Sequence, residues 1–461
     1  MTTFLSKQKI FIIAFIYMLL AIAYNTYLPF FEDEAYYWLW SHHLALSYYD
    51  HPPMIAYLIK VFTTFGDAVW QIRMINIFCF FGAGFFIYKT AHYLFDEKTA
   101  FYAFLIFIFS PAVTMGLSIT TPDSPLAFFW AASLYFTAKA FFEGKTSDFI
   151  IAGALGGAAL LSKYTGILLF MSYFIFIASY RPKLFVSIKL YLAILFGLIV
   201  FSPVIIWNIQ NDFSSFLFQY YHGSSTGGES IGFKHDLELF GGAFGIFGPV
   251  FFALLLYLFT RKEFYKNERL FFVLSITLLT FLFFLYKGLY KKMELNWVAP
   301  AFASASIVVG YFIAKYNMKK TFIGGMIISL LIGSVMRFPL FFGLEGARNP
   351  HNRLFGQEEL AKHIEHLTNE NVYTDYLTMA SALTYYLKKD VYIPTKTRKS
   401  QFDTWQQGYD FASKPGIYVA RDGDKLNELK TIWSNTVFVE EYTISKKGFK
   451  DKIYYIYRVS N

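Results

Sequence analysis

Long apolar runs recur through the first three-quarters of this 461-residue chain, and they constrain its fold more than any other feature. A helix needs about 20 mainly apolar residues to cross a bilayer. Charged residues make up 16% of the chain, against about 25% in soluble proteins. The sequence therefore predicts a multi-pass α-helical membrane protein with about eleven transmembrane helices. They are expected near residues 10–28, 70–90, 99–117, 124–142, 148–161, 164–180, 187–206, 237–259, 270–287, 295–314 and 321–341.

The composition becomes polar after the last apolar run, which predicts a division into residues 1–343 and 344–461. The second part has the alternating pattern of strands and the amphipathic pattern of helices, and indicates a small α/β domain. Strands are predicted at 371–374, 416–420, 436–443 and 452–459, and helices at 357–367 and 378–388. Residues 29–69 form the first long loop, with two helices of the kind that lie in a membrane interface.

The net charge of +9 has two interpretations, a nucleic-acid partner or a membrane. Membrane proteins concentrate Lys and Arg in cytoplasmic loops, so we expect no nucleic-acid partner. With a cytoplasmic N-terminus, the inner connections hold about twice as many Lys and Arg as the outer ones. This orientation places the residue 29–69 loop, the other polar clusters and the C-terminal domain on the outer face. The single Cys79 excludes an intramolecular disulfide and a cysteine zinc site.

An acidic cluster and a single aspartate on the predicted outer side are candidate catalytic sites. Glu32-Asp33-Glu34 is one, and its alternative is a helix N-terminus, where acids complement the helix dipole. That alternative explains one or two acids better than three in a row. Asp123, between two prolines, is the other, and it suits an N-terminal helix position equally well. Glu32 is expected to serve only as a first-turn acid.

Outer-side cations are candidates for binding an anion. Lys163 lies at a predicted tight bend between two short spans, and its alternative role is to reach the membrane interface. Lys287, Lys291 and Lys292 form a basic group that runs against the usual charge asymmetry, and a lipid phosphate would explain it. Acids that handle protons, together with cations that bind phosphate, indicate chemistry with a phosphate leaving group.

Several motifs occur in a fixed order along the chain: Glu32 to Glu34, Tyr49-Asp50-His51-Pro52-Pro53, Thr121-Pro122-Asp123, Leu161 to Gly166, Trp207-Asn208 and Lys292 to Pro300. This order resembles bacterial glycosyltransferase family 39, whose relatives are the protein O-mannosyltransferases. It is similar, more distantly, to the lipid A aminoarabinose transferases. The resemblance covers essentially the whole membrane part and implies a GT-C fold, a polyprenyl-phosphate-linked sugar donor and inverting transfer at the outer face of the bacterial cytoplasmic membrane.

The resemblance also implies roles for individual residues. Asp33 matches the catalytic carboxylate, with Glu34 as support, and Asp123 matches a second acid. Lys163, Tyr164, His51, Lys292 and Asn296 are expected to bind the donor phosphate. His51 stands where the aminoarabinose transferases have Lys, so Lys163 or Lys292 is expected to carry more of that role. Asp50 and, more loosely, His222 are candidate ligands of a divalent metal cation, although a histidine at a membrane interface is commonly only a polar tip.

The function predicted is transfer of a sugar from a polyprenyl phosphate to a hydroxyl acceptor, with an envelope lipid, glycan or protein as the acceptor. One alternative is a lipid or solute transporter without transferase activity, although transporters usually carry charges within their spans. Another is a membrane protein that organises partners through its C-terminal domain.

Overall fold

The computed structural model describes the backbone of residues 7–223, 232–395, 398–421, 423 and 425–461, and side chains from residue 12 onward within these ranges except at 222 and 223. Contacts divide the chain into two units. The helical unit comprises Met1–Thr26 and Ala45–Arg337, and the C-terminal unit comprises Tyr27–Leu44 and Phe338–Asn461. The sequence predicted a division after residue 343. The division seen here falls after Arg337, and it assigns the start of the first predicted loop to the C-terminal unit.

The described chain forms seventeen α-helices up to Arg337, where the helical unit ends. All of them except α2 belong to the helical unit. They are α1 (Lys7–Asn25), α2 (Glu32–His42), α3 (Met54–Phe62), α4 (Val69–Leu94), α5 (Glu97–Ile108), α6 (Pro111–Gly116), α7 (Asp123–Glu143), α8 (Thr146–Ser162), α9 (Ile167–Tyr180), α10 (Ile188–Gln210), α11 (Ser214–Gly223), α12 (Lys234–Phe247), α13 (Pro249–Phe259), α14 (Lys262–Lys266), α15 (Glu268–Gly288), α16 (Ala301–Lys315) and α17 (Lys319–Arg337).

Each predicted span overlaps at least one of these helices, but the count of eleven is not confirmed. In the described chain, four helices are long and apolar enough to cross a membrane, namely α4, α10, α15 and α17. Counting α12 and α13 as one broken span makes five, although the two helices meet at an angle of 117°. Chain breakers explain two of the interruptions. Pro111 begins α6 after α5 has ended, and Gly248, with φ +100°, separates α12 from Pro249.

Close packing of α8 against α10 fixes the position of α8, whose last residue is followed by the candidate site residue Lys163. A Cβ atom on Gly153 would lie 1.9 Å from the Ala193 carbonyl oxygen, and one on Gly157 would lie 2.4 Å from that of Gly197. Only glycine permits backbones this close, so the two helices are held in one register. The end of α8 then continues through a 3-10 turn, Tyr164–Gly166, into α9. This turn is the tight bend that the sequence predicts.

The C-terminal unit is a five-stranded mixed sheet with helices. Its sheet has the order β2-β1-β3-β5-β4, with β1 parallel to β2 and β3, and β5 antiparallel to β3 and β4. The four predicted strands and both predicted helices are present, and the short β2 is an addition. The elements are α18 (Gln357–Leu367), β1 (Asn371–Thr374), α19 (Leu377–Leu387), β2 (Val391–Tyr392), α20 (Gln401–Trp405), β3 (Gly416–Ala420), α21 (Leu426–Leu429), β4 (Asn435–Ile444) and β5 (Lys452–Ser460).

Helix α2 lies in this unit rather than standing alone as an interfacial helix. Its aromatic side chains are buried, and Trp40 is fully inaccessible. The ring of Trp38 meets Tyr385 of α19 edge to face with centroids 5.0 Å apart, and Tyr36 stacks on Phe402 of α20. Aromatic pairs of this kind bury a large apolar area in a defined geometry. The aromatic run after the acidic cluster is therefore packing material of the C-terminal unit.

Candidate active site

Glu32, the first residue of α2, is almost completely buried, with 1% of its side chain exposed. Its Oε1 atom accepts hydrogen bonds from Arg421 Nη2 at 2.6 Å and Gln357 Nε2 at 2.7 Å, and Lys452 Nζ lies 3.5 Å away. Its Oε2 atom accepts from Thr378 Oγ1 at 3.3 Å. These four partners come from α18, α19, β5 and the segment after β3. Glu32 therefore ties the start of α2 to most of the C-terminal unit.

The charge balance around Glu32 keeps this carboxylate ionised. Burial by itself raises the pKa of a carboxyl group because it removes hydration from the charged form. Here the positive charges of Arg421 and Lys452 outweigh that effect, and they hold the pKa of Glu32 below its ordinary value. Glu32 is a first-turn acid, as expected, and it also takes part in a buried ion cluster with Arg421 and Lys452.

Asp33 is held by an arginine from the start of the C-terminal polar sequence. Arg353 Nη2 lies 3.2 Å from Asp33 Oδ1 and 3.1 Å from Oδ2. The Asp33 side chain is 34% exposed and that of Arg353 is 56% exposed, so solvent reaches both. Partial burial raises the pKa of Asp33, Arg353 lowers it, and the neighbouring Glu32 charge raises it again, with a net increase. A carboxylate with a raised pKa is a better general base than an ordinary one.

Glu34 caps the N-terminus of α2. Its side chain is fully buried, and its Oε2 atom accepts a hydrogen bond from the Phe31 backbone nitrogen at 3.0 Å. This is the back-bond of a helix-capping arrangement, and it satisfies a donor that the helix leaves unpaired. Glu34 therefore fixes where α2 begins, which in turn fixes the direction of Asp33.

In the helical unit the structure brings together Asp123, Lys163 and Asn296. Asp123 begins α7 and Lys163 follows the last residue of α8. Lys163 Nζ donates to Asp123 Oδ1 at 2.7 Å, while Asn296 Nδ2 at 2.7 Å and Thr121 Oγ1 at 3.2 Å donate to Oδ2. Only 7% of the Lys163 side chain is exposed. Both carboxylate oxygens are therefore engaged, which suits Asp123 to orient Lys163 rather than to accept a proton.

Helix α11 connects Tyr164 to the motif around Asp50. Ser215 and Tyr164 share a hydrogen bond between their hydroxyl oxygens at 2.7 Å, and Gln219 Nε2 donates to the Asp50 carbonyl oxygen at 2.7 Å. Asn208, at the end of α10, accepts from the Phe216 nitrogen at 3.1 Å and so holds α11 in place. Ser215 and Gln219 carry no sequence signal of their own, because their partners lie far away in the chain.

His51 lies beside Asp50, just before the two prolines that lead into α3, and Lys292 is exposed. The backbone of residue 222 is helical, but the side chain of His222 lies outside the described residues. Across the described side chains, no group of three or more His, Cys, Asp or Glu could hold a metal ion. The predicted metal site therefore stays a prediction.

The fold is that of the GT-C glycosyltransferases, as the sequence predicts. The chain aligns with the crystal structure of ArnT from Cupriavidus metallidurans at a TM-score of 0.69, with 14% identity and coverage of 96% of this chain and 97% of ArnT. ArnT bound to undecaprenyl phosphate aligns equally well, at 13% identity and 98% of both chains. The oligosaccharyltransferase AglB from Archaeoglobus fulgidus, solved with an inhibitory peptide and a dolichol-phosphate, aligns at 0.52 with 12% identity, over 88% of this chain and 69% of AglB.

Sequence comparisons agree with the fold. Residues 50–207 match the family described as dolichyl-phosphate-mannose-protein mannosyltransferase. Lipid A galacturonosyltransferase RgtD from Rhizobium johnstonii is 27% identical over 323 residues, which cover 68% of this chain. The match spans 66% of that relative, just under two thirds of its length. The resemblance to glycosyltransferases is confirmed, and it favours that class over the transporter alternative.

Removing the charge of Glu32 is expected to destabilise the C-terminal unit. In E32Q, Arg421 and Lys452 lose the carboxylate that compensates them, which costs on the order of 3 kcal/mol for a buried ion pair. Because the pKa of Glu32 is lowered by folding, its contribution is complete at neutral pH. It is lost only as the pH falls below about 4.3, the ordinary value for a glutamate.

Thermal unfolding in detergent at pH 7 and at pH 4 measures this effect. The matched control is E358Q, since Glu358 pairs with Lys362 on an exposed helix face and such pairs contribute at most about 1 kcal/mol. Equal unfolding temperatures for E32Q and E358Q at pH 7 would show that Glu32 does not anchor α2.

Substitution of Asp123 is expected to leave a buried cation without its partner. D123N should lower stability by on the order of 3 kcal/mol, whereas the double variant D123L/K163M should recover most of that loss, because removing both charges removes the desolvation cost. The control E238Q alters an exposed acid of the same unit. The test compares the unfolding temperatures of the wild type, D123N, D123L/K163M and E238Q. A double variant no more stable than D123N would contradict the pairing of Asp123 with Lys163.

Proposed function

We propose that this chain is an inverting glycosyltransferase. It moves a sugar from a polyprenyl-phosphate donor to a hydroxyl acceptor at the outer face of a bacterial cytoplasmic membrane. The observation that carries the proposal is the buried Lys163, which donates to Asp123, whose other carboxylate oxygen accepts from Asn296. The fold is shared with ArnT, whose structure has been solved with undecaprenyl phosphate.

The membrane arrangement is part of the proposal. About eleven spans, several of them broken or short, place the N-terminus in the cytoplasm and the C-terminal unit outside. The support is the distribution of Lys and Arg among the connections, together with the apolar helices that are long enough to cross. In this arrangement the acidic cluster and the Lys163 bend belong to the outer side.

The donor phosphate is assigned to Lys163. An ammonium group has three donors, and of the described residues only Asp123 takes one of them in a hydrogen bond. Two donors are left for phosphate oxygens. As the bond between the anomeric carbon and the phosphate oxygen breaks, the oxygen keeps the electron pair, and a fixed cation stabilises the charge that develops there. Tyr164, Asn296, His51 and Lys292 are assigned supporting contacts to the same phosphate group.

The acceptor hydroxyl is assigned to Asp33. Its oxygen attacks the anomeric carbon from the face opposite the phosphate, and its proton passes to the Asp33 carboxylate. The raised pKa of Asp33 and its access to solvent suit it to this role, which contributes roughly 10²- to 10⁴-fold to the rate. One displacement inverts the configuration at the anomeric carbon. Glu34 supports this chemistry only by fixing the start of α2.

One relative supports a choice among the possible acceptors. RgtD is named as a lipid A galacturonosyltransferase, and this supports a glycolipid of the bacterial envelope as the acceptor, ahead of a glycan or a protein. A divalent cation bound by Asp50 and His222 remains part of the proposal as a ligand of the protein, and no step of the transfer is routed through it.

D33N tests this assignment. The substitution removes the proton acceptor but alters only an exposed ion pair, so turnover should fall roughly 10²- to 10⁴-fold while the unfolding temperature changes little. Release of polyprenyl phosphate from a panel of polyprenyl-phosphate sugars, with envelope lipids as acceptors, is followed by mass spectrometry. D410N, at an exposed aspartate of the same unit, is the control. Full activity of D33N would remove Asp33 from the mechanism.

A further inference from the structure

We infer that Arg353 is a positioning residue for Asp33 and fixes the orientation of its carboxylate. This inference rests on the proposed function, since it concerns the group to which the acceptor proton is assigned. The observation behind it is the contact of one guanidinium nitrogen with both carboxylate oxygens, at 3.2 and 3.1 Å.

The guanidinium of Arg353 contacts an aromatic ring as well as Asp33, and hydrogen bonds of neighbouring residues anchor its backbone segment. It lies over the ring of Phe31, 4.6 Å from the centroid, a favourable cation–π distance. Its backbone belongs to a 3-10 segment, Pro350–Leu354, which follows Asn349. The Asn349 side chain donates to the Gly448 carbonyl oxygen at 2.9 Å, and Asn352 Oδ1 accepts from the Lys450 nitrogen at 3.0 Å. A cation fixed in this way holds its partner in one orientation.

The contact with Arg353 leaves the Asp33 carboxylate able to accept a proton. A carboxylate has about four lone-pair sites, and a single nitrogen that faces both oxygens leaves the outer lone pairs open. The side chain of Asp33 remains 34% exposed. The arrangement therefore restricts the rotation of the carboxylate without covering it, and orientation of this kind lowers the barrier of a proton transfer.

Arg353 also affects the ionisation of Asp33, because the other charges that face Asp33 are negative. Two carboxylates of the same helix turn, Glu32 and Glu34, oppose ionisation of Asp33, and Arg353 is the cation that favours it. Arg421 and Lys452 are engaged by Glu32 instead. Loss of the Arg353 charge should therefore raise the pKa of Asp33 further. The base would then be protonated over a wider acidic range.

Direct titration of Asp33 tests this effect without any substrate. A water-soluble carbodiimide modifies protonated carboxyl groups, and tandem mass spectrometry of the peptide that contains Asp33 gives the extent of labelling against pH. In R353Q the labelling midpoint should move to higher pH, because a nearby positive charge favours the ionised carboxylate. R353K, which keeps the charge, should stay near the wild type. The control is R348Q, an exposed arginine five positions earlier. An unchanged midpoint in R353Q would overturn the inference.

Turnover provides the second readout. R353Q should lose at least tenfold in kcat with little change in KM for the donor. The acidic limb of its profile of turnover against pH should shift to higher pH. R353K should recover part of the loss in kcat. If R353Q unfolds at a lower temperature but keeps the wild-type profile of turnover against pH, the contact is structural and the inference is wrong. If D33N is fully active, or the wild type releases no polyprenyl phosphate, the proposed function fails first. A dead D33N with a normal R353Q removes only this inference.

Discussion

The buried ion cluster at Glu32 is the constraint on which the acidic site depends. An ion of this size loses several kcal/mol of solvation in a protein interior, and only close opposite charges and hydrogen bonds offset that loss. Arg421, Lys452, Gln357 and Thr378 supply them. Because all four lie beyond residue 350, α2 acquires its place only when the C-terminal sequence has folded. The carboxylate of Asp33, one residue further on, is positioned by the same cluster.

The helical unit also contains a buried charge, that of Lys163, and its loss of solvation must likewise be offset by nearby polar groups. Lys163 is nearly inaccessible, and its charge is compensated by Asp123, whose second oxygen is engaged by Asn296 and Thr121. The close approach of α8 and α10 at Gly153 and the bend after Ser162 fix the place of Lys163. In the proposed mechanism, a cation fixed in advance provides the preorganised charge that stabilises a departing phosphate.

Much of this architecture could be predicted from the sequence, because apolar runs and alternating patterns are local signals. The segments 371–374 and 416–420 match the strands at the same bounds, and Asp123 and Lys163 were identifiable as candidates. The partners of Glu32 and Asp33 could not be predicted, since Arg421 follows Glu32 by 389 positions and Arg353 follows Asp33 by 320. Long-range ion pairs leave no periodicity in a sequence. The count of about eleven spans is not confirmed for another reason: prolines and glycines interrupt helices within runs that remain apolar.

The central claim is that Asp33 accepts a proton in a single displacement of polyprenyl phosphate from the sugar. The configuration of the transferred sugar tests it most directly. Purified protein is supplied with a polyprenyl-phosphate sugar of known anomeric configuration and with envelope lipids, and the product is examined by nuclear magnetic resonance. A product of the opposite configuration is predicted, because a general base promotes one inverting attack. Retention of configuration would contradict the account, since it requires a covalent intermediate and makes the carboxylate a nucleophile.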